Sequence, residues 1–162
     1  MEYSGLRPII RYVLPSGYHQ FHAEAAFGRA VRARRRASFV NLLRRCGSDR
    51  RLAVYDERCV GGSRMPMIPG RHEIPVEAIR ATVEPNRADQ FDAEFRPAKM
   101  TRRRWERIWL AEYSGTVLPP IVVVPVEGGF ALRDGHHRVS VARARGAIMI
   151  DAIVEGTATA TV

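Results

Sequence analysis

The amino-acid sequence predicts an α/β (α+β) fold, a small mixed sheet flanked by helices with a basic helix ahead of it. Three observations predict it. Residues 121–126 are a β-branched run of the kind that fills a buried strand. Trp105, Ile108 and Trp109 recur at i, i+3 and i+4, which marks one face of a helix. Beyond them the order is strand, tight turn, strand, glycine turn, helix, strand, an alternation that belongs to a layered sheet-and-helix domain.

In chain order, residues 6–13 have the character of a short strand, and Pro15-Ser16-Gly17 is a turn signal. Residues 23–46 are expected to form a helix, with Phe27, Val31, Phe39, Leu42 and Leu43 as a thin apolar stripe and Gly47 as its stop. Leu52, Val54 and Tyr55 suggest a short strand, and Gly61-Gly62-Ser63 a linker. The chain therefore divides into an N-terminal extension (1–68), a main domain (69–155) and a small, polar, flexible tail (156–162). Within the main domain, 74–83 is a strand broken at Pro75, and Phe91 and Phe95 punctuate a polar stretch. Residues 101–113 form a helix capped by Thr101 and closed by Gly115. Glu127-Gly128-Gly129 is a hairpin turn between strands 121–126 and 130–133. A helix at 136–145, with Gly146 as its C-cap, leads to a last strand at 147–154.

The net charge is +9, and Lys99 is the only lysine, so the excess is arginine. Such a balance favours anionic partners: nucleotides, DNA or RNA, or an acidic protein. Arg32, Arg34, Arg35 and Arg36 cluster in the N-terminal helix, where positive density can seat nucleic-acid phosphates or form a solvated face. Arg102, Arg103 and Arg104 occupy a first helical turn, where acidic residues are preferred, so an external anion or neighbouring carboxylates must offset them. Cys46 and Cys59 form no CxxC pair, and no metal site is assigned. No apolar run is long enough to span a membrane, and the first residues lack signal-peptide character, so a cytoplasmic location is expected, nucleoid-associated if DNA is bound.

The chemistry concentrates at Asp134-Gly135-His136-His137-Arg138, a strand-to-helix junction. A helix N-terminus presents free N–H groups and partial positive charge. Gly135 permits positive φ and close approach of a phosphate. Arg138 can clamp an anion bidentately, His137 can donate a hydrogen bond or move a proton near pH 7, and Asp134 can orient a histidine, hold Mg²⁺ or act as a base. A plain turn also fits, with Asp134 as N-cap and the histidines on the surface.

These residues carry a resemblance. The stretch PPIVVVPVEGGFALRDGHHRVSVARARGAIMIDAIV, residues 119–154, resembles the N-terminal domain of ParB and its relatives in the ParB/sulfiredoxin superfamily. Gly135, Arg138 and Val141-Ala142 stand at the positions of its G-x-x-R-x-x-A helix. Val83-Glu84-Pro85-Asn86 followed by Phe91 is similar to its nucleotide-covering segment. The resemblance implies a stand-alone domain, spanning roughly 74–155, in which Gly135, His136, His137 and Arg138 cradle the triphosphate of CTP or ATP with Mg²⁺. The place of the catalytic cysteine of sulfiredoxins is taken by His136, so sulfiredoxin activity is not expected. Ala88-Asp89-Gln90-Phe91 departs from the Gln-Pro-Arg patch of partition proteins, and no helix-turn-helix follows, so a complete partition protein is not expected either. Three functions remain open. One is a nucleotide-dependent binding protein that also contacts nucleic acid. Another is a small-molecule kinase or NTPase with Asp134 and His137 as catalytic residues, Glu84 and Asp92 standing behind them. The third is a non-enzymatic protein-interaction module. A homodimer is compatible with each.

Overall fold

The structure, a computed structural model, describes residues 16–43, 51–56 and 68–155. The strand expected at 6–13, Pro15, Cys46, the Gly47 stop, Cys59, the linker at 61–63 and the tail at 156–162 lie outside the described residues.

Among the described residues six strands form one mixed sheet: β1 (Ala53–Val54), β2 (Gly70–Pro75), β3 (Ile79–Thr82), β4 (Ile121–Val126), β5 (Gly129–Asp134) and β6 (Met149–Val154), in the order β1-β3-β5-β4-β6-β2. β1, β3 and β5 run parallel to one another, as do β4 and β6. β4 and β5 form the antiparallel hairpin expected at Glu127-Gly128-Gly129. There Gly129 is required by space, since a Cβ would stand 2.2 Å from the Ala78 carbonyl oxygen. The helices are α1 (Ser16–Leu43), α2 (Pro85–Ala88), α3 (Arg102–Tyr113) and α4 (His136–Ala144). The predicted fold class, a small mixed sheet flanked by helices, is the one observed.

The main core lies between sheet and helices and is built from Leu52, Ile74, Ile79, Phe91, Phe95, Ile121, Leu132 and Val139, all essentially inaccessible to water. Leu52 comes from the stretch next to β1, and β1 itself extends the sheet edge beside β3. A second cluster joins α1 (Ala26, Phe27), α3 (Trp105) and α4 (Val141). Residues 16–43 and 51–56 are thus each packed onto 69–155.

Four local expectations need correction. The basic helix starts at Ser16, so Ser16-Gly17 belongs to its first turn. Pro75 ends a strand: a 3₁₀ turn at Val76–Ala78 separates two strands at opposite sides of the sheet, because proline has no N–H to continue the ladder. Thr101 does not cap α3. A 3₁₀ turn (Lys99–Thr101) precedes that helix, and the Thr101 hydroxyl donates back to the Ala98 carbonyl at 2.8 Å. Of the apolar stripe, Phe27 is buried and Val31 half-buried, while Phe39, Leu42 and Leu43 are exposed.

Candidate anion-binding site

β3 and β5 are parallel neighbours, with Thr82 paired to Leu132. Their carboxyl ends therefore lie side by side, where ligands collect in open α/β sheets. β5 ends at Asp134 and α4 begins at His136, so Gly135 alone makes the junction. Its φ is 104°, and a Cβ there would meet Ile121 Cγ2 at 2.5 Å. Conformation and space both demand glycine. Among the described residues no side chain caps α4. Its first intrahelical bond runs from Val139 N–H to the Gly135 carbonyl at 3.0 Å, so the N–H groups of His136, His137 and Arg138 point from the helix end without an intrahelical acceptor.

Both histidines are buried rather than on the surface, at 4% and 6% exposure. His136 Nε2 lies 2.7 Å from Thr82 Oγ1. That hydroxyl also donates to the Leu132 carbonyl (3.1 Å) and accepts from Glu84 N–H (2.9 Å), an arrangement satisfied by neutral His136 donating from Nε2–H. Phe91 packs on both rings, stacked on His136 (6.0 Å) and edge-to-face with His137 (5.2 Å). His137 makes no hydrogen bond among the described residues, yet it lines the cleft at the helix end. Burial pushes both imidazoles down to about 4, helped at His136 by Arg87 and at His137 by Arg104. The expected proton shuttle near pH 7 is therefore corrected: His137 is neutral there and can donate from its N–H.

The cleft has a volume of ≈ 30 Å³ and is lined by Arg87, Arg104, Ile108, Asp134 and the turn. That is room for about one water. The Arg104 side chain that lines it is exposed and makes no hydrogen bond or ion pair among the described residues.

The structure separates the predicted site residues into two sets. Gly135, His136 and His137 converge on the helix end, joined by Arg104. Arg138 lines the same cleft, but its guanidinium is held inside the chain: it donates to the Pro119 carbonyl, to the Pro120 carbonyl at 2.7 Å, and to Asp134 Oδ2 at 2.6 Å. It braces the turn instead of standing open as a bidentate clamp. Among the described residues Asp134 is the only carboxylate in the cleft lining, and it is ion-paired with Arg138. Among the described residues no group of three or more metal-ligating side chains gathers. Asp92, 4% exposed, shapes the 92–96 turn: Oδ1 accepts from the N–H groups of Glu94 (3.1 Å) and Arg96 (2.8 Å), and Phe95 takes a positive φ there.

The remaining arginines lie apart. Arg102 pairs with Glu106 at 2.7 Å and with Glu24 at 3.3 Å, so carboxylates offset it. Arg103 is exposed. On α1, Arg34 turns inward and donates to the carbonyls of Gln90 (3.1 Å), Asp89 (3.3 Å) and Arg96 (3.4 Å), whereas Arg32, Arg35 and Arg36 are exposed. The sequence reading missed Thr82 and Arg87 as parts of the site. Phe91, which the resemblance placed with the nucleotide-covering segment, packs on both histidines.

No protein-family profile and no curated protein matches the chain. Among solved structures it is similar to the sulfiredoxin from Arabidopsis thaliana, at 20% identity and a TM-score of 0.40, over 54% of this chain and 85% of that one. No described helix is long and apolar enough to cross a membrane.

Proposed function

We propose that the chain is a nucleotide-binding protein in which the α4 N-terminus holds a phosphate group of CTP or ATP. The observation that carries this reading is His137: nine-tenths buried, without a hydrogen bond among the described residues, and placed at the α4 N-terminus beside Arg104, which has no partner among those residues either. A ring N–H without a partner is an open donor, and an anion at that point would accept from it. Three N–H groups, the His137 N–H and Arg104 are all donors, and a phosphoryl oxygen is their natural acceptor. Mg²⁺ would enter with the nucleotide, Asp134 being the carboxylate able to reach it, and would screen the charge on the phosphates.

The geometry supports binding over transfer. A base for phosphoryl transfer needs a free carboxylate, and Asp134 is tied to Arg138. His137, pushed down to about 4, is a weak base.

A panel of CTP, ATP, GTP and UTP with Mg²⁺, followed by thermal shift and calorimetry, tests the reading. One nucleotide is expected to bind, with affinity about tenfold or more weaker in Arg104→Gln and an unchanged melting temperature. Absence of binding by all four would overturn it. Arg138→Ala is the poorer probe, because losing the Pro119 and Pro120 contacts unbraces the turn itself.

Nucleic-acid contact is a second reading, favoured by the spacing of Arg29, Arg32 and Arg36 at i, i+3 and i+7, which puts three exposed guanidiniums on one face of α1. Affinity for duplex or single strands that falls steeply with salt is expected, and salt-independent binding would contradict it.

A further inference from the structure

The last turns of α1 suggest an interaction that does not depend on the nucleotide reading. α1 has 28 residues and α3 has 12, so at 1.5 Å per residue α1 is about 42 Å long against about 18 Å for its partner. The two are antiparallel: His19 meets Tyr113, and Phe27 meets Trp105. Arg34 then fastens α1 to the 89–96 segment. Beyond Arg34 the helix overhangs the body, and there Phe39 (61% exposed), Leu42 (75%) and Leu43 (67%) stay open to water. Val31, Arg35, Ser38 and Leu42 recur on one helical face, turned away from the Arg29/Arg32/Arg36 stripe. That face and the segment Pro97, Ala98 and Lys99 wall a groove of ≈ 500 Å³, with Met100 (80% exposed) just beyond.

We propose that this groove seats an amphipathic helical segment of a protein partner, its bulky apolar side chains flanked by acidic residues. Contiguous apolar exposure of this size on a rimmed groove marks an interaction site. The rim chooses the partner: Arg34, Arg35 and Lys99 line it, and α1 carries no acidic residue after Glu24. A second copy of the chain, docked face to face by two-fold symmetry, would set those cations against their own copies. A bilayer fits a convex apolar face, and here the stripe turns into a groove walled by residues 97–99. A single-stranded nucleic acid can stack a base on Phe39, but it offers nothing aliphatic to match Leu42 in such a groove. A helix with leucines at i, i+3, i+4 and i+7 and glutamates between them meets both requirements.

The test uses the full chain and a fluorescent synthetic helix of about 18 residues built on that leucine–glutamate pattern, followed by anisotropy. Binding is expected in the wild type, weakened about tenfold or more in both Leu42→Glu and Arg35→Glu. Both positions are exposed, so unchanged circular dichroism is expected in the variants. Three results would overturn the proposal: no binding, or binding that both variants retain; sedimentation showing a dimer that Leu42→Glu dissolves, which assigns the groove to a second copy; or co-sedimentation with vesicles of anionic lipid abolished by Leu42→Glu, which assigns it to a membrane surface.

Discussion

Gly135 shows how little freedom a single position at this site has. A Cβ would stand 2.5 Å from Ile121 Cγ2, on a backbone already at positive φ. Gly135→Ala is expected to destabilise the fold by about 2 kcal/mol or more, read as a lowered denaturant midpoint; an unchanged midpoint would show that the turn relaxes freely. His136 and His137 give a second expectation at this scale. Both are held at about 4 in the folded chain, against about 6.5 when unfolded. The unfolded chain therefore binds more protons between those values, so the stabilisation is complete above pH 6.5 and is lost as pH falls toward 4. The loss is on the order of 3 kcal/mol for each ring. Urea midpoints at pH 7 and pH 4.5 should differ strongly; equal midpoints would contradict the burial of neutral rings. An anion at the helix end raises both values, so phosphate binding is expected to take up protons and to tighten below neutral pH.

At the scale of elements, the seam between α1, α3 and α4 holds the site in place. Trp105 is fully buried, packs on Phe27 and Trp109, and donates from Nε1 to Ser140 Oγ of α4 at 2.9 Å. One side chain thus ties three helices, and α3 presents Arg104 to the cleft one residue earlier. Trp105→Ala is expected to cost about 3–5 kcal/mol and to weaken anion binding with it; retained stability would mean the helices do not depend on this seam. Arg34→Ala removes three side-chain bonds to carbonyls of the 89–96 segment and should loosen the second half of α1 while leaving the sheet intact, seen as faster amide exchange confined to that helix.

The whole molecule shows which features a sequence makes legible. β4, β5, the hairpin between them, α4 and the Gly135 turn follow from local rules: a β-branched run, paired glycines, and glycine before a helix. What escaped was long-range. β2 and β3 are adjacent in sequence yet lie on opposite sides of the sheet, which no local pattern reveals. β1 is two residues long and exists because β3 offers it an edge. At the site, the glycine and histidines were legible as a turn, but their burial was not, since Phe91 and Thr82 reach the rings from distant positions. Arg34 and Arg138 looked like open cations because a sequence shows charge and not the carbonyls that a fold brings to it.

The central claim, that the uncapped end of α4 holds a phosphate group, is tested most directly by amide chemical shifts. Isotope-labelled protein would be titrated with Mg²⁺ and CTP or ATP, and separately with inorganic tripolyphosphate. The account predicts saturable shifts that are largest at the amides of His136, His137 and Arg138, with the His137 ring nitrogens moving alongside them. Saturable shifts confined to the arginines of α1, with the α4 amides unmoved, would contradict it.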